Sequence, residues 1–424
     1  MSTRKEKIPI VRFRAFSEPW FQNQLSEVAE FSKGRGYSKK AIQPQGTPII
    51  LYGRLYTKYE SVISNIDTYA NMEKNSVISE GGEVIIPASG ESAAEISRAS
   101  CVTDGGVILG GDINIVKPHE NLDPSFIAIT LSNGSQQREL SKRAQGKSVV
   151  HLHNSDLKAV KLYYPSYEEQ SAIGSLFRTL DDLLDSYKDN LANYQSLKAT
   201  MLSKMFPKAG DTVPKIRLDG FEGEWECVKM ADIFQIIDGD RGKSYPGESD
   251  FSSFGHTLFL DTRNVKKTGL DFSTTKFISE EKDKELRNGK LISGDFILTS
   301  RGTLGNVAYY DENIQKRYSS VRINSAMLIL RPLLGDKIDP EYILAVLRGN
   351  LISNFMKVNQ VGSAQPHIPK KEFSKIKVLV PSNIQEQQAI GSYFSNLDNL
   401  INSYQEKITQ LETLKKKLLQ DMFI

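Results

Sequence analysis

The chain is written twice. Residues 169–206 begin EQSAIGSLFRTLDDLLDSY and end MF; residues 386–423 begin EQQAIGSYFSNLDNLINSY and also end MF, with 17 of 38 positions identical at an offset of 217. The repeat continues outside this segment. Pro9, Arg12, Phe16 and Trp20 return as Pro214, Arg217, Phe221 and Trp225, so the only two tryptophans are equivalent. Asp123-Pro124-Ser125-Phe126 returns as Asp339-Pro340-Glu341-Tyr342, and Gly146, His151 and Pro165 return as Gly362, His367 and Pro381. Self-similarity at this scale means duplication of a whole structural unit. Between the anchors the halves diverge, which divides the 424 residues into a variable globular unit (1–167), a repeated helix (168–206), a second variable unit (207–384) and a second helix (385–424).

In the repeated segments the apolar residues fall at spacings of three and four. The first carries Ile173, Phe177, Leu180, Leu184, Tyr187, Leu191 and Tyr194; the second carries Ile390, Phe394, Leu397, Ile401, Tyr404, Ile408 and Leu411. Such a stripe seeks a partner helix. The other repeat is the available partner, and a chain that runs out along one helix and back along the other pairs them antiparallel. The globular units read as mixed α and β. The runs PIILYG, EVIIPAS, HTLFLDT and DFILTS, bounded by Gly, Ser and Asp, predict strands. One helix per unit is expected after each Asp-Pro turn, over FIAITL and YILAVL.

Composition excludes several function classes. With 39% hydrophobic and 25% charged residues the chain is globular in character. The basic MSTRKEK start is followed by charge before any apolar run reaches signal-peptide or membrane length, so a cytoplasmic protein with no membrane partner is expected. Cys101 and Cys227 have no CxxC spacing and read as buried small hydrophobes. Gly242-Lys243-Ser244 resembles the end of a phosphate-binding loop, but Ile237 stands where that motif requires Gly. His151 and His153 lack nearby acidic or cysteine co-ligands and read as structural, which leaves no metal site. No Asn/Asp-Pro-Pro-Tyr/Phe run and no GxGxxG fingerprint are present, so no catalytic residue is assigned. The net charge of +3 is uninformative until it is divided. Each variable unit is +3, whereas the two helical segments are −2 and −1, a distribution suited to a polyanion met at the globular units.

The polar loops supply residue types that read base edges and hold phosphates. In the first unit the candidates are Lys33, Arg35, Tyr37, Lys39, Lys40 and Arg54. In the second they are Arg241, Lys243, Thr262, Arg263, Asn264 and Arg301, the last within SRGTLG after an apolar run.

The twice-written EQ-x-AIGS-x-F-x-x-LD-x-L segment and the P-x-x-R-x-x-x-F-x-x-x-W opening of each half are joined by the stretch carrying Gly294, Asp295, Arg301 and Gly302. Together these resemble the specificity subunits of type I restriction-modification systems. The first half has Ser89-Gly90 where the second has Arg301-Gly302, so a shared arginine role is not implied. The resemblance implies two mixed α/β target recognition domains separated by two long helices in an antiparallel coiled coil, with internal pseudo-two-fold symmetry. It implies a non-catalytic subunit that reads a bipartite site on double-stranded DNA. Two methyltransferase subunits carrying S-adenosylmethionine would dock on the helices. Motor-nuclease subunits using ATP and magnesium would complete the larger complex, with no cofactor on this chain. The rival reading is a coiled-coil scaffold that joins two protein partners without touching DNA, and salt-dependent retention on duplex DNA separates the two.

Overall fold

A computed structural model describes residues 8–146, 149–208, 210–359 and 366–424; Gly362, the sequence counterpart of Gly146, lies outside them. The chain forms two units, one from residues 1–188 with 407–424 and the other from residues 189–406. Each division falls inside a long helix, so each unit owns part of both helices.

The first unit is organised by a five-stranded sheet. β1 (Ala29–Lys33) and β2 (Glu83–Pro87) flank β3 (Ile113–Pro118), and Ser100–Val102 and Val62–Ile63 extend the sheet beyond β2. β3 is antiparallel to both neighbours, with Pro118 opposite Ala29 and Ile113 opposite Pro87. Both faces are covered, so β2 reads as a continuous apolar run without polar alternation. Val84, Ile86 and Val116 face one core that contains Phe126, whereas Ile85, Ile113 and Ile115 face a second. α1 (Pro124–Leu131) lies on the first core. Its start is set by Asp123, whose carboxylate accepts from Phe126 N at 2.9 Å, and by Pro124 in the first turn. α2 (Tyr167–Lys204) then leaves the unit.

The second unit repeats this frame. β4 (Phe234–Asp238), β5 (Asp295–Thr299) and β6 (Met327–Pro332) have the same order, with β6 central, Pro332 opposite Phe234 and Met327 opposite Thr299. Phe296, Leu298, Leu328 and Leu330 share a core with Tyr342, and Ile297, Met327 and Ile329 face another. α3 (Pro340–Val346) is capped by Asp339, which accepts from Tyr342 N at 2.9 Å, and α4 (Ile384–Asp421) follows. All four apolar runs read as strands are strands, and α1 and α3 stand where the Asp-Pro turns place them. Further helices, among them Gly134–Arg143, accompany them.

The long helices pair antiparallel within each unit. In the first, Asp181 bonds Lys415 and Lys188 meets Glu412 at 3.0 Å. In the second, Asp398 bonds Lys198 and the Tyr194 and Tyr404 rings lie 5.5 Å apart. Asp181–Lys415 and Asp398–Lys198 are one pair at the repeat offset of 217. The stripe is not a helix seam throughout. Ile173 and Phe177 are buried in the core that holds Phe126, Ile390 and Phe394 in the core that holds Tyr342. Leu180, Leu184, Leu397, Ile401 and Ile408 are buried further along, while Tyr187, Leu191 and Tyr404 are half-buried. One expectation fails: Cys101 is buried, but Cys227 is exposed, on a strand (Glu226–Lys229) with one paired neighbour.

Candidate nucleic-acid interface

The repeated motif residues converge on one fastening per unit. Glu169 is buried near the start of α2 and accepts from Arg12 Nε at 2.7 Å and Nη2 at 2.6 Å. Its neighbour Gln170 accepts from Asp123 N at 2.9 Å and donates to Pro165 O at 2.9 Å. The second unit reproduces every bond. Arg217 donates twice to Glu386 at 2.8 Å; Gln387 accepts from Asp339 N at 3.0 Å and donates to Pro381 O at 2.9 Å. Trp225 Nε1 also donates to Glu386 at 3.3 Å, whereas Trp20 Nε1 is buried without a partner among the described residues. The Gly of AIGS permits close approach, and at Gly391 it is required. A Cβ on Gly391 would stand 2.5 Å from Tyr342 N, and one on Gly174 3.2 Å from Asp123 Oδ1. The twice-written motif therefore clamps each long helix to the capped end of α1 or α3 in its unit. Its Arg, Glu and Gln are not free for a ligand.

With the frame fixed, the variable loops project from the opposite ends of the sheet strands. β1 and β4 both run into a glycine that cannot carry a side chain. A Cβ on Gly34 would lie 1.9 Å from Gly110 O, and one on Gly239 2.0 Å from Asn324 O. Basic residues surround that glycine in the first unit and follow it in the second. Lys33, Arg35, Lys39 and Lys40 are exposed. Tyr37 is half-buried with φ +59°, and its hydroxyl donates to Asn71 O at 3.0 Å, so it braces the loop from below. In the second unit Arg241 and Lys243 are exposed. Asp240 anchors that loop by accepting from Gly242, Arg287 and Asn288 N–H groups at 2.7, 2.6 and 3.2 Å. Burial pushes its pKa up, but these backbone bonds outweigh burial and hold it below the ordinary value.

Arg301 is exposed, and no ion pair holds its side chain among the described residues. Its loop is tied to that of Thr262 by Thr303 Oγ1, which donates to Thr262 O at 3.3 Å. The strand end at 299–301, the 324–326 turn and the 239–243 loop also meet. Ala326 O accepts from Arg301 N at 3.1 Å, and Ser325 O from Arg241 Nη2 at 3.0 Å. Arg241, Thr262 and Arg301 thus belong to adjoining loops of one unit. Arg263 is exposed but folds back on Asp261 at 2.6 Å, which holds that carboxyl below its usual pKa.

Two candidates are corrected. Arg54 has a side chain only 8% exposed and donates to Glu60 at 2.7 Å, Asp67 at 3.0 Å and Asn65 O at 2.7 Å, which commits it to the fold. Asn264 is buried, and its amide donates to Asp271 O and Thr274 O at 2.9 and 2.8 Å. The His151 and His153 rings stack at 6.3 Å, and among the described residues no group of three or more potential ligands is placed to hold a metal. No helix among the described residues is long and apolar enough to cross a membrane.

A family model described as "Type I restriction modification DNA specificity domain" matches residues 17–193 and again 222–413. The chain is 21% identical over 408 residues to the type I restriction enzyme MjaVIII specificity subunit of Methanocaldococcus jannaschii, covering 95% of this chain and 91% of that protein. Its fold is similar to the crystal structure of a type I restriction-modification S subunit from M. genitalium, with a TM-score of 0.65 at 17% identity over 99% of each chain. A second solved chain, from work on assembly and conformational transition of a type I R-M system, gives a TM-score of 0.51 at 16% identity, covering 94% of this chain and 96% of that one. Two family domains, matched across most of the sequence, stand on two copies of one fastened frame: the chain belongs to the type I restriction-modification DNA specificity family.

Proposed function

We propose that this chain is the non-catalytic, sequence-reading subunit of a cytoplasmic type I restriction-modification complex, in which each unit reads one half of a bipartite site on double-stranded DNA. The observation that carries the reading is the contrast between frame and loops. Equivalent Arg–Glu and Gln fastenings hold two equivalent sheets, while the loops those sheets project carry different cationic and polar residues. Two half-sites of different sequence require that combination, since phosphates are held by cations of any order and bases only by a particular set.

The helices would set the gap between half-sites and seat two methyltransferase subunits. Exposed leucines support the docking role. Leu183 and Leu197 are both 38% exposed, and their repeat counterparts Leu400 and Leu414 are 41% and 45% exposed. Leu183 and Leu414 both belong to the first unit. Leu197 and Leu400 both belong to the second. Two equivalent exposed leucines in each unit suit two copies of one partner. S-adenosylmethionine would arrive on those subunits, and ATP and magnesium on motor-nuclease subunits, with none held by this chain.

The test is methylation mapping of host DNA with and without this chain, followed by exchange of residues 20–150 for the same unit of a relative. A two-part motif that depends on the chain, one half of which changes on exchange, is the expected result. No motif, or a change in both halves, overturns the reading.

A further inference from the structure

The two units carry opposite hydrogen-bonding character at one equivalent position. The frame fixes the equivalence. Ala88 N donates to Asp112 O at 2.8 Å, and Ser300 N donates to Ala326 O at 2.9 Å; Leu152 N donates to Ala88 O at 3.0 Å, and Ile368 N to Ser300 O at 2.9 Å. Ser89 therefore stands where the second unit has Arg301, and Asp112 where it has Ala326. The second unit offers an exposed guanidinium there with no carboxylate opposite it. The first offers a serine hydroxyl bonded to an exposed carboxylate, Ser89 Oγ to Asp112 Oδ2.

Several features mark Asp112 as more than a loop residue. Its φ is +62°, a left-handed conformation that costs an ordinary side chain energy and gathers at functional sites. It follows Gly111, whose N–H donates to Gly36 O at 2.7 Å, so Asp112 stands beside the loop that carries Arg35, Lys39 and Lys40. Ser89 is held from behind by Tyr56, whose hydroxyl donates to Ser89 O at 2.6 Å, and from the side by its strand partner His151. Burial raises the Tyr56 pKa first, and the Asp112 charge raises it further. The tyrosine therefore stays a neutral donor. A carboxylate among cations on a projecting loop repels phosphate, so it is misplaced in a surface that only holds the DNA backbone.

We infer that Asp112, oriented by Ser89, reads a cytosine in the first half-site by accepting a hydrogen bond from its exocyclic amino group. A carboxylate accepts from cytosine N4 in the major groove. Adenine fits less well, because its N7 needs a donor beside the acceptor, and the one Ser89 proton is already given to Asp112. This inference rests on the reading of the units as half-site readers given above.

The experiment first maps the methylated motif of the parent complex; if no bipartite motif appears, the half-site reading fails and not this assignment alone. Asp112→Gly then removes the carboxylate with a residue that favours positive φ, which protects the loop, and Asp112→Asn keeps the shape. Binding by the complete complex is measured on the parent duplex and on duplexes substituted at each position of the first half. The parent should lose about 5- to 150-fold when one particular C·G pair is replaced, and Asp112→Gly should lose that discrimination at that pair alone. The methylated motif of the variant should become degenerate there, with the second half and the gap unchanged. An unchanged motif, a change at a pair lacking cytosine, equal weakening on every duplex, or loss of folding in both variants overturns the assignment and returns Asp112 to a bracing role with Ser89.

Discussion

Replacement of Glu386 by alanine tests whether the repeated motif is a fastening. The Glu386 and Arg217 side chains are 2% and 15% exposed, joined by two charge-assisted bonds of 2.8 Å, and Trp225 adds a third at 3.3 Å. Removal of one partner of a buried pair costs about 3–5 kcal/mol, because the other charge is left uncompensated. Arg217 keeps the carbonyls of Glu222 and Gly223 at 2.9 and 2.6 Å, which favours the lower end, about 3 kcal/mol. The stranded indole N–H of Trp225 adds about 1 kcal/mol. The equivalent Glu169→Ala strands Arg12 but no indole, since Trp20 has no bond to lose, so it should cost about 1 kcal/mol less.

Each unit contains one tryptophan, so Trp20→Phe leaves Trp225 as a reporter of the second unit in urea unfolding. With a denaturant slope of about 2.5 kcal/mol per molar urea, Glu386→Ala should lower that midpoint by about 1.5 M. The double variant Arg217→Met with Glu386→Leu should recover most of the loss, because two apolar groups leave no buried charge. A midpoint within about 0.3 M of the parent, or a double variant no better than the single, would refute the fastening.

Arg301→Ala should weaken binding of the complex by about 1–3 kcal/mol at one position of the second half-site; equal affinity of variant and parent on specific and random duplexes would place the side chain in solvent. Leu183→Ser with Leu414→Ser should release one methyltransferase copy while the other stays, read as the mass of the assembled complex; retention of both copies would clear these leucines of docking. Asp240 and Asp283 have pKa values below the ordinary 3.8 in the folded chain, against burial that raises both, through backbone N–H bonds to Asp240 and bonds from Lys290 and Arg322 to Asp283. Their contribution is therefore full above about pH 4 and lost as pH falls through the folded values, so Asp240→Asn should flatten the acid limb of Trp225 unfolding, and a parallel limb would count against it. Four residues inserted after Tyr194 lengthen α2 by about 6 Å and should widen the unspecified gap in the methylated motif by about one or two pairs; an active variant with the parent gap would mean that the helices do not set it.

The strands, the Asp-Pro helices and the duplication were legible because each has a local signal, either an apolar run between turn residues, a capping pair or a repeated word. The fastening was not read, since Arg12 and Glu169 meet across 157 residues. A signal was nevertheless present: an arginine and a glutamate of opposite charge, Arg12 with Glu169 and Arg217 with Glu386, are both written twice. Reading each stripe as wholly a helix seam missed that Ile173 and Phe177 share a core with α1, because spacing shows that a face is buried but not against what. Arg54 was mistaken for a reader because residue type alone cannot reveal that Glu60 and Asp67 face it.

What lets the loops differ so widely is where the frame spends its constraints. Gly34 and Gly239 hold each loop base against the chain that enters β3 or β6, and Asp112 or Ala326 receives the same N–H bond whatever its side chain. Those contacts are made by backbone, so they do not depend on which side chains stand at 35, 89 and 112, or at 241, 301 and 326. Ser89 with Asp112 and Arg301 with Ala326 can then occupy one position with opposite polarity on sheets of the same order and register. On the proposed reading, a change of target would require substitution of side chains beyond the fixed glycines, while the fastening of Arg, Glu, Gln and Asp-Pro that holds each sheet to its helix is left untouched.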